Sequence, residues 1–110
     1  MNTENKLKEI AKFLPPLQIE HIKKQIKFYT EEISRLYSIV QSIPKIGKSK
    51  KKPKVYLHYF TGKNDYYIYE FDGDNTLFGK ARLGGFPDET HCRKFSLSNL
   101  KSNQFIELRL

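Results

Sequence analysis

Apolar positions between Lys54 and Leu83 recur in three short runs, separated by two tetrapeptides. The runs are Val55 to Phe60, Asp65 to Phe71 and Thr76 to Leu83, and they are rich in the β-branched and aromatic residues that strands favour. The tetrapeptides TGKN and DGDN carry the glycine, asparagine and aspartate of tight turns. The pattern therefore predicts an antiparallel meander of three strands.

Alternation of side chains along each strand predicts a register and two different sheet faces. With turns of even length, the expected pairs are Tyr59 with Tyr66, Leu57 with Ile68, Ile68 with Gly79 and Tyr69 with Phe78. One face is mostly aliphatic or small and holds Val55, Leu57, Tyr59, Tyr66, Ile68, Leu77, Gly79, Ala81 and Leu83. The other face is aromatic and cationic and holds Lys54, Tyr56, His58, Phe60, Tyr67, Tyr69, Phe71, Phe78, Lys80 and Arg82.

The aromatic face has two interpretations at this stage. Rings mixed with cations on an exposed sheet can stack bases or bind a protein partner. Large aromatic residues also commonly form the core, in which case both faces of the sheet are covered. The aliphatic face suits close packing under a helix in either case.

A helical pattern precedes the meander. After a short helix that Thr3 caps and Pro15 and Pro16 end, apolar residues step alternately by three and four from Ile19 to Ile43. This predicts one helix from Leu17 to Ile43, of about seven turns. We expect its apolar stripe to lie across the sheet, because the meander needs a cover; pairing with the same helix in a second copy is the alternative.

A basic segment joins helix and sheet. It has six lysines between Lys45 and Lys54, with proline and glycine among them, and repulsion between like charges predicts a mobile linker over residues 44–53. Its lysines are candidate phosphate contacts or parts of a solvated tether; the candidates are Lys48, Lys50, Lys51, Lys52 and Lys54. The expected organisation is one α+β domain, with a helical part (1–43), this linker, and a β-sheet part (54–110) of three to five strands.

Two further strands are expected after the meander. Residues Lys94 to Leu97 predict a fourth strand, a serine then caps a helical turn, and Gln104 to Leu110 alternates like a closing strand.

Net charge and cysteine content indicate the type of partner and the cellular compartment. The chain has 20 basic and 12 acidic side chains and a net charge of +8, which favours anionic partners or acidic protein surfaces. A single cysteine, Cys92, excludes an internal disulfide and fits a reducing cytosol. No apolar run is long enough to span a membrane, so we expect a protein of the bacterial cytoplasm.

Side chains with catalytic or metal-binding chemistry are sparse. The pair His91 and Cys92 lacks the further ligands of a zinc site, and Asp72 and Asp74 are explained by the hairpin turn. No metal and no cofactor are therefore expected.

A ribonuclease site is one alternative for the aromatic face. His58, Glu70, Lys80 and Arg82 could form such a site without a metal, with His58 as acid or base and the two cations holding phosphate. The predicted register, however, places Glu70 on the opposite face from His58, which disfavours this site.

Several short motifs resemble a family of small uncharacterised domains from bacterial plasmids and phages. They are Tyr59-Phe60-Thr61, Glu70 after an aromatic strand, Phe78-Gly79 and Phe95-Ser96-Leu97 with Leu100. The stretch Thr90 to Lys94 departs from that family's usual acidic residue and Leu-Gly-Tyr. No catalytic residues are carried over. The resemblance implies a mobile-element protein of the anti-CRISPR type, which acts on host defence.

Three functions are therefore expected, in order of preference. The first is a noncatalytic protein that inhibits or modulates a host protein that handles nucleic acid, such as a CRISPR nuclease or its guide-RNA complex. The second is direct binding of RNA or single-stranded DNA by the aromatic face. The third is the metal-independent ribonuclease of toxin type.

Overall fold

A computed structural model describes residues 2–48, 53–84 and 92–107 of the chain. These residues form one antiparallel sheet in the order β4-β3-β2-β1-β5. Its strands are β1 Leu57–Thr61, β2 Asn64–Phe71, β3 Thr76–Arg82, β4 Arg93–Ser96 and β5 Phe105–Ile106. The helices are α1 Thr3–Ile10, α2 Pro16–Lys24, α3 Thr30–Ser42 and α4 Leu97–Asn103, with a 3-10 turn at Ala11–Phe13. The predicted α+β class with a small antiparallel sheet is confirmed.

The hydrophobic core lies between the helices and the aliphatic face of the sheet. From the sheet it contains Leu57, Tyr59, Ile68, Phe71, Leu77 and Ile106. From the helical parts it contains Leu7, Ile10, Phe13, Leu14, Ile22, Ile33, Leu36, Leu97 and Leu100. The apolar stripe of the helical segment therefore covers the sheet, as expected, because burying both apolar surfaces against each other removes them from water.

The segment predicted as one long helix is two helices. At Gln25 the backbone leaves the helical region (φ −130°, ψ 43°), and tight turns follow until Thr30 begins α3. A straight helix over this segment would be about 40 Å long and would extend past a small sheet. The break allows Ile22 and Ile33 both to reach the core, and it leaves Phe28 81% exposed. Packing thus overrides a regular periodicity.

The predicted register is correct up to Ile68 and wrong beyond it. Ile68 pairs with Gly79 as expected, but the register then shifts, and Phe78 lies opposite Glu70 instead of Tyr69. Such a β-bulge inserts one residue and moves those that follow to the other face. Phe71 was predicted on the aromatic face; it is buried in the core, with its ring centroid 5.1 Å from that of Phe13.

Gly79 allows the two strands to approach closely beside the bulge. A Cβ atom at this position would lie 1.9 Å from the backbone carbonyl oxygen of Tyr67. Only glycine leaves room for that carbonyl, which is the usual meaning of a glycine inside a strand.

Tyr59 fastens the sheet to the helical layer. Its hydroxyl donates a hydrogen bond of 2.7 Å to the backbone carbonyl oxygen of Phe13, and its side chain is fully buried. Burial raises the pKa of this hydroxyl, because the phenolate would be poorly solvated there. The neutral form is therefore the one that the core accommodates.

Tyr59→Phe should lower the free energy of unfolding by about 1 to 3 kcal/mol, because the buried Phe13 carbonyl would lose its donor. Urea denaturation followed by circular dichroism measures this change. The same substitution at half-buried Tyr56 is the matched control and should have a smaller effect. Equal effects at the two positions would contradict the role assigned to the Tyr59 hydroxyl.

Candidate functional site

The helices leave the aromatic side of the sheet uncovered. Every helix of the described part contributes residues to the core on the other side. We use the name open face for the following side chains: Lys54, Tyr56, His58, Phe60, Asp65, Tyr67, Tyr69, Phe78, Lys80, Arg82, Lys94 and Phe105. Its predicted aromatic members other than Phe71 are half-buried. Among the described residues, the interpretation of this face as a second core is therefore wrong.

Four rings form a continuous series across β2, β1 and β5. His58 and Tyr67 stack with centroids 4.8 Å apart and planes 12° from parallel. The centroid of Phe60 lies 5.5 Å from that of His58, and Phe105 lies 6.2 Å beyond Phe60. Phe105 is the most exposed of the four, at 43%. The series is an apolar strip with its edges in contact with solvent.

Asp65 holds the His58 ring by a short polar contact. The distance from His58 Nε2 to Asp65 Oδ1 is 2.7 Å, and the two side chains are 19% and 24% exposed. The register explains the contact, because Asp65 lies opposite Phe60 and Tyr67 lies opposite His58. Asp65 was missed from the sequence, although it is two residues from Tyr67 and therefore shares its face.

Cationic side chains follow the rings across the sheet. In the ladder, Lys80 lies opposite Tyr67, Arg82 opposite Asp65, and Lys94 opposite Phe78. Residues directly opposite in an antiparallel pair share a face, so the cations occupy β3 and β4 beside the rings of β1 and β2. At one end, Lys54 Nζ lies 5.3 Å from the ring centroid of Tyr56. All predicted site residues from Lys54 to Arg82 are thus on one surface.

Lys94 and Phe105 are members that the sequence did not reveal. Their strands were predicted, but their neighbours in the sheet depend on which edges β4 and β5 occupy. Pairing of β4 with β3 and of β5 with β1 is a property of the assembled sheet. Alternation within each strand gives no information about it.

The start of the basic linker is a fixed turn. The backbone N–H of Lys48 donates to the carbonyl oxygen of Lys45, and Gly47 between them has a φ of +86°, which suits glycine in a type II turn. The N–H of Gly47 donates to Glu70 Oε1 at 3.0 Å. The linker therefore begins with a hydrogen-bonded turn, while Lys50, Lys51 and Lys52 lie outside the described residues.

Glu70 has a structural role. The bulge places it opposite Phe78, on the face of His58, whereas the predicted register placed it on the other face. Its side chain is only 3% exposed because the turn at Gly47 covers it. The carboxylate therefore holds the linker and is not open to a substrate.

The acidic turn after β2 is stabilised by hydrogen bonds within the turn itself. Asp72 Oδ1 accepts from the backbone N–H groups of Asp74 at 2.8 Å and Thr76 at 3.0 Å. These bonds favour the carboxylate and hold the pKa of Asp72 below its usual range. In the described ranges, no group of three or more His, Cys, Asp and Glu side chains is placed to bind a metal ion; His91 lies outside them.

Comparisons of the chain with protein-family models, with curated proteins and with solved structures give no match. No helix in the described part of the chain is long and apolar enough to cross a membrane. The case for a function therefore rests on the composition and geometry of the open face.

Glu70→Ala should lower the free energy of unfolding by about 1 to 3 kcal/mol, because the Gly47 N–H would lose a buried acceptor. Asp65→Ala should cost less than about 1 kcal/mol, because its pair with His58 is partly solvated. Urea denaturation of both variants measures the two values. The reverse ranking would show that the His58–Asp65 contact is mainly structural.

Proposed function

We propose that this chain is a noncatalytic binding protein that docks on a host protein that handles nucleic acid and inhibits or modulates it. The observation that carries the proposal is the open face, where half-exposed rings and cations lie together on a sheet surface that the helices do not cover. The resemblance to small plasmid and phage domains supports the setting, in which the partner is an RNA-guided nuclease or a similar defence protein.

The composition of the open face fits a recognition surface. Aromatic residues and arginine are enriched at protein interfaces and supply most of their binding energy. Tyr67 and Phe60 are packed against neighbouring rings, so little side-chain freedom remains to be lost on binding. Such a surface is suited to binding without any chemical step.

The surface also has a suitable charge. The open face carries four cations, Lys54, Lys80, Arg82 and Lys94, against one carboxylate, Asp65. The partner surface that complements it is an acidic patch of the protein or the phosphates of a nucleic acid that the protein holds. Attraction between opposite charges would speed the encounter and fix its orientation.

A pull-down from a bacterial lysate, with nuclease added, should retain a protein partner when wild-type chain is the bait. Tyr67→Ala should lose that partner, because it removes a ring from the centre of the open face. Phe28→Ala is the matched control, since it removes an exposed ring on the helical side, and it should retain the partner. Mass spectrometry identifies the retained protein in each arm.

The retained protein is then purified and its nuclease activity measured with increasing amounts of wild type, Tyr67→Ala and Phe28→Ala. Inhibition by wild type and Phe28→Ala alone is the expected result. If no bait retains any protein after nuclease treatment, the proposal of a protein partner is wrong.

A second function is favoured by one contact, the 2.7 Å approach of Asp65 Oδ1 to His58 Nε2. A carboxylate that orients a histidine is the usual arrangement of a general base. Lys80 and Arg82, on β3 next to the strand of Asp65, would hold the phosphate. Together these residues would form a metal-independent ribonuclease site on the open face.

Cleavage of labelled single-stranded RNA in the presence of EDTA tests the ribonuclease function. If it is correct, wild type cuts, and His58→Ala loses about a hundredfold or more in rate, as expected for loss of a general base. His21→Ala, which removes a histidine from α2 on the helical side, should cut normally. Absence of cleavage of several RNAs by wild type would reject this function.

A further inference from the structure

Rings and cations are segregated along the cross-strand rows of the open face. One row runs from Phe60 on β1 through Asp65 on β2 to Arg82 on β3. The next runs from His58 through Tyr67 to Lys80. In both rows a ring lies at one end and a cation at the other.

At the far end of the sheet the ring lies on β3 instead. Phe78 lies between Glu70 on β2, which the Gly47 turn covers, and Lys94 on β4. On the other side, Phe105 on β5 extends the rings beyond Phe60. Each side chain in these rows is separated from the next by one strand spacing, about 4.8 Å. Apart from Phe78 on β3 and Lys54 before β1, the rings of the open face lie on β5, β1 and β2 and its cations on β3 and β4. We call these two groups the aromatic strip and the cationic strip.

This arrangement matches the two chemical parts of a nucleotide. Bases present flat apolar faces that stack on aromatic rings, and each phosphate carries a negative charge. A nucleic-acid strand laid along the boundary between the strips would place its bases over the rings and its phosphates beside the cations.

We propose that the open face binds a segment of single-stranded nucleic acid directly, with bases on the aromatic strip and phosphates on the cationic strip. The ligand is a single strand because bases in a duplex are stacked on one another and cannot offer a face to a ring. The inference rests on the proposed function only in using the same surface, and it names a single strand of nucleic acid as the ligand that this surface contacts.

The stacked pair supplies a defined position for one base. His58 and Tyr67 each shield one ring face of the other, since their planes are within 12° of parallel. The remaining face of Tyr67 is turned away from β1, toward the strand that carries Lys80. A base stacked on that face would have its phosphate within reach of the ammonium group.

Asp65 is the acidic member of the open face that a ligand can reach, since Glu70 on the same side is 3% exposed under the Gly47 turn. The Asp65 carboxylate would repel a nearby phosphate, whereas Asp65→Asn removes the charge with little change in shape. Asp65→Asn should therefore tighten binding of an oligonucleotide. Unchanged or weaker binding would contradict a phosphate beside Asp65.

Fluorescence anisotropy with labelled oligouridine and oligodeoxythymidine of about ten nucleotides measures the affinity of purified full-length chain. The same mixed sequence as a duplex is the comparison ligand. We expect single strands to bind more tightly than the duplex. Affinity should fall between about 50 and about 200 mM salt.

Substitutions distinguish the contribution of base stacking to binding from the contribution of charge. Phe60→Ala should weaken single-strand binding roughly tenfold, as expected for loss of a stacked base, while Phe28→Ala should not change it. Lys94→Ala should reduce the slope of log affinity against log salt by about 0.7, the value for one phosphate of a single strand. Lys23→Ala, on α2, makes the same change in net charge and should leave the slope unaltered.

An NMR titration of wild-type chain with the same oligonucleotide does not depend on whether a variant folds. Amide shifts should change along β1, β2 and β3 and not in α1 or α3. Shift changes confined to the helices would overturn the inference. So would equal losses from Lys94→Ala and Lys23→Ala, or equal affinity for duplex and single strand.

Different experimental results would contradict the inference and the proposed function. Retention of a nuclease-resistant protein through Tyr67, together with no oligonucleotide binding at low salt, overturns the inference and leaves the proposed function standing. Oligonucleotide binding through the open face, with no protein retained after nuclease treatment, supports the inference and overturns docking on a protein.

Discussion

The extra residue in β2 between Ile68 and Glu70 determines how the two faces of this sheet differ. Without it, strict alternation would place Phe71 among the exposed rings and remove it from the core, where it packs on Phe13. The bulge is accommodated beside Gly79, where a side chain would collide with the Tyr67 carbonyl. One local insertion therefore closes the core at this end of the sheet and leaves Glu70 to hold the turn before β1.

The helical layer depends on the same sheet. Tyr59 crosses from the middle of β1 to the 3-10 turn at Phe13, and the break after Lys24 lets two helices share a surface that one helix could not cover. All helices in the described part pack on this one side. A single core is enough for a chain of this size, and the aromatic side of the sheet is left out of it.

Most of the fold and about half of the open face could be predicted from patterns within single strands, helices and turns. Alternation in β1 and β2 identifies His58, Phe60 and Tyr67 as sharing a face, and the turn residues fix the register as far as Ile68. The bulge leaves one signal, which the predicted register does not take into account: strict alternation after Ile68 would place Glu70 on the core face and Phe71 on the other, opposite to their polarity. Lys94 and Phe105 join the face through strand neighbours far apart in sequence, and the helix break arises from tertiary packing that periodicity does not contain.

The cations around the rings also govern how copies of this protein behave toward one another. An exposed aromatic surface normally promotes association between identical molecules. Two copies meeting through the open face would bring the cations of both, among them Arg82, Lys94 and Lys54, close to one another, and at moderate ionic strength their repulsion acts over roughly 8 to 10 Å. This repulsion would oppose association of two copies through their exposed rings.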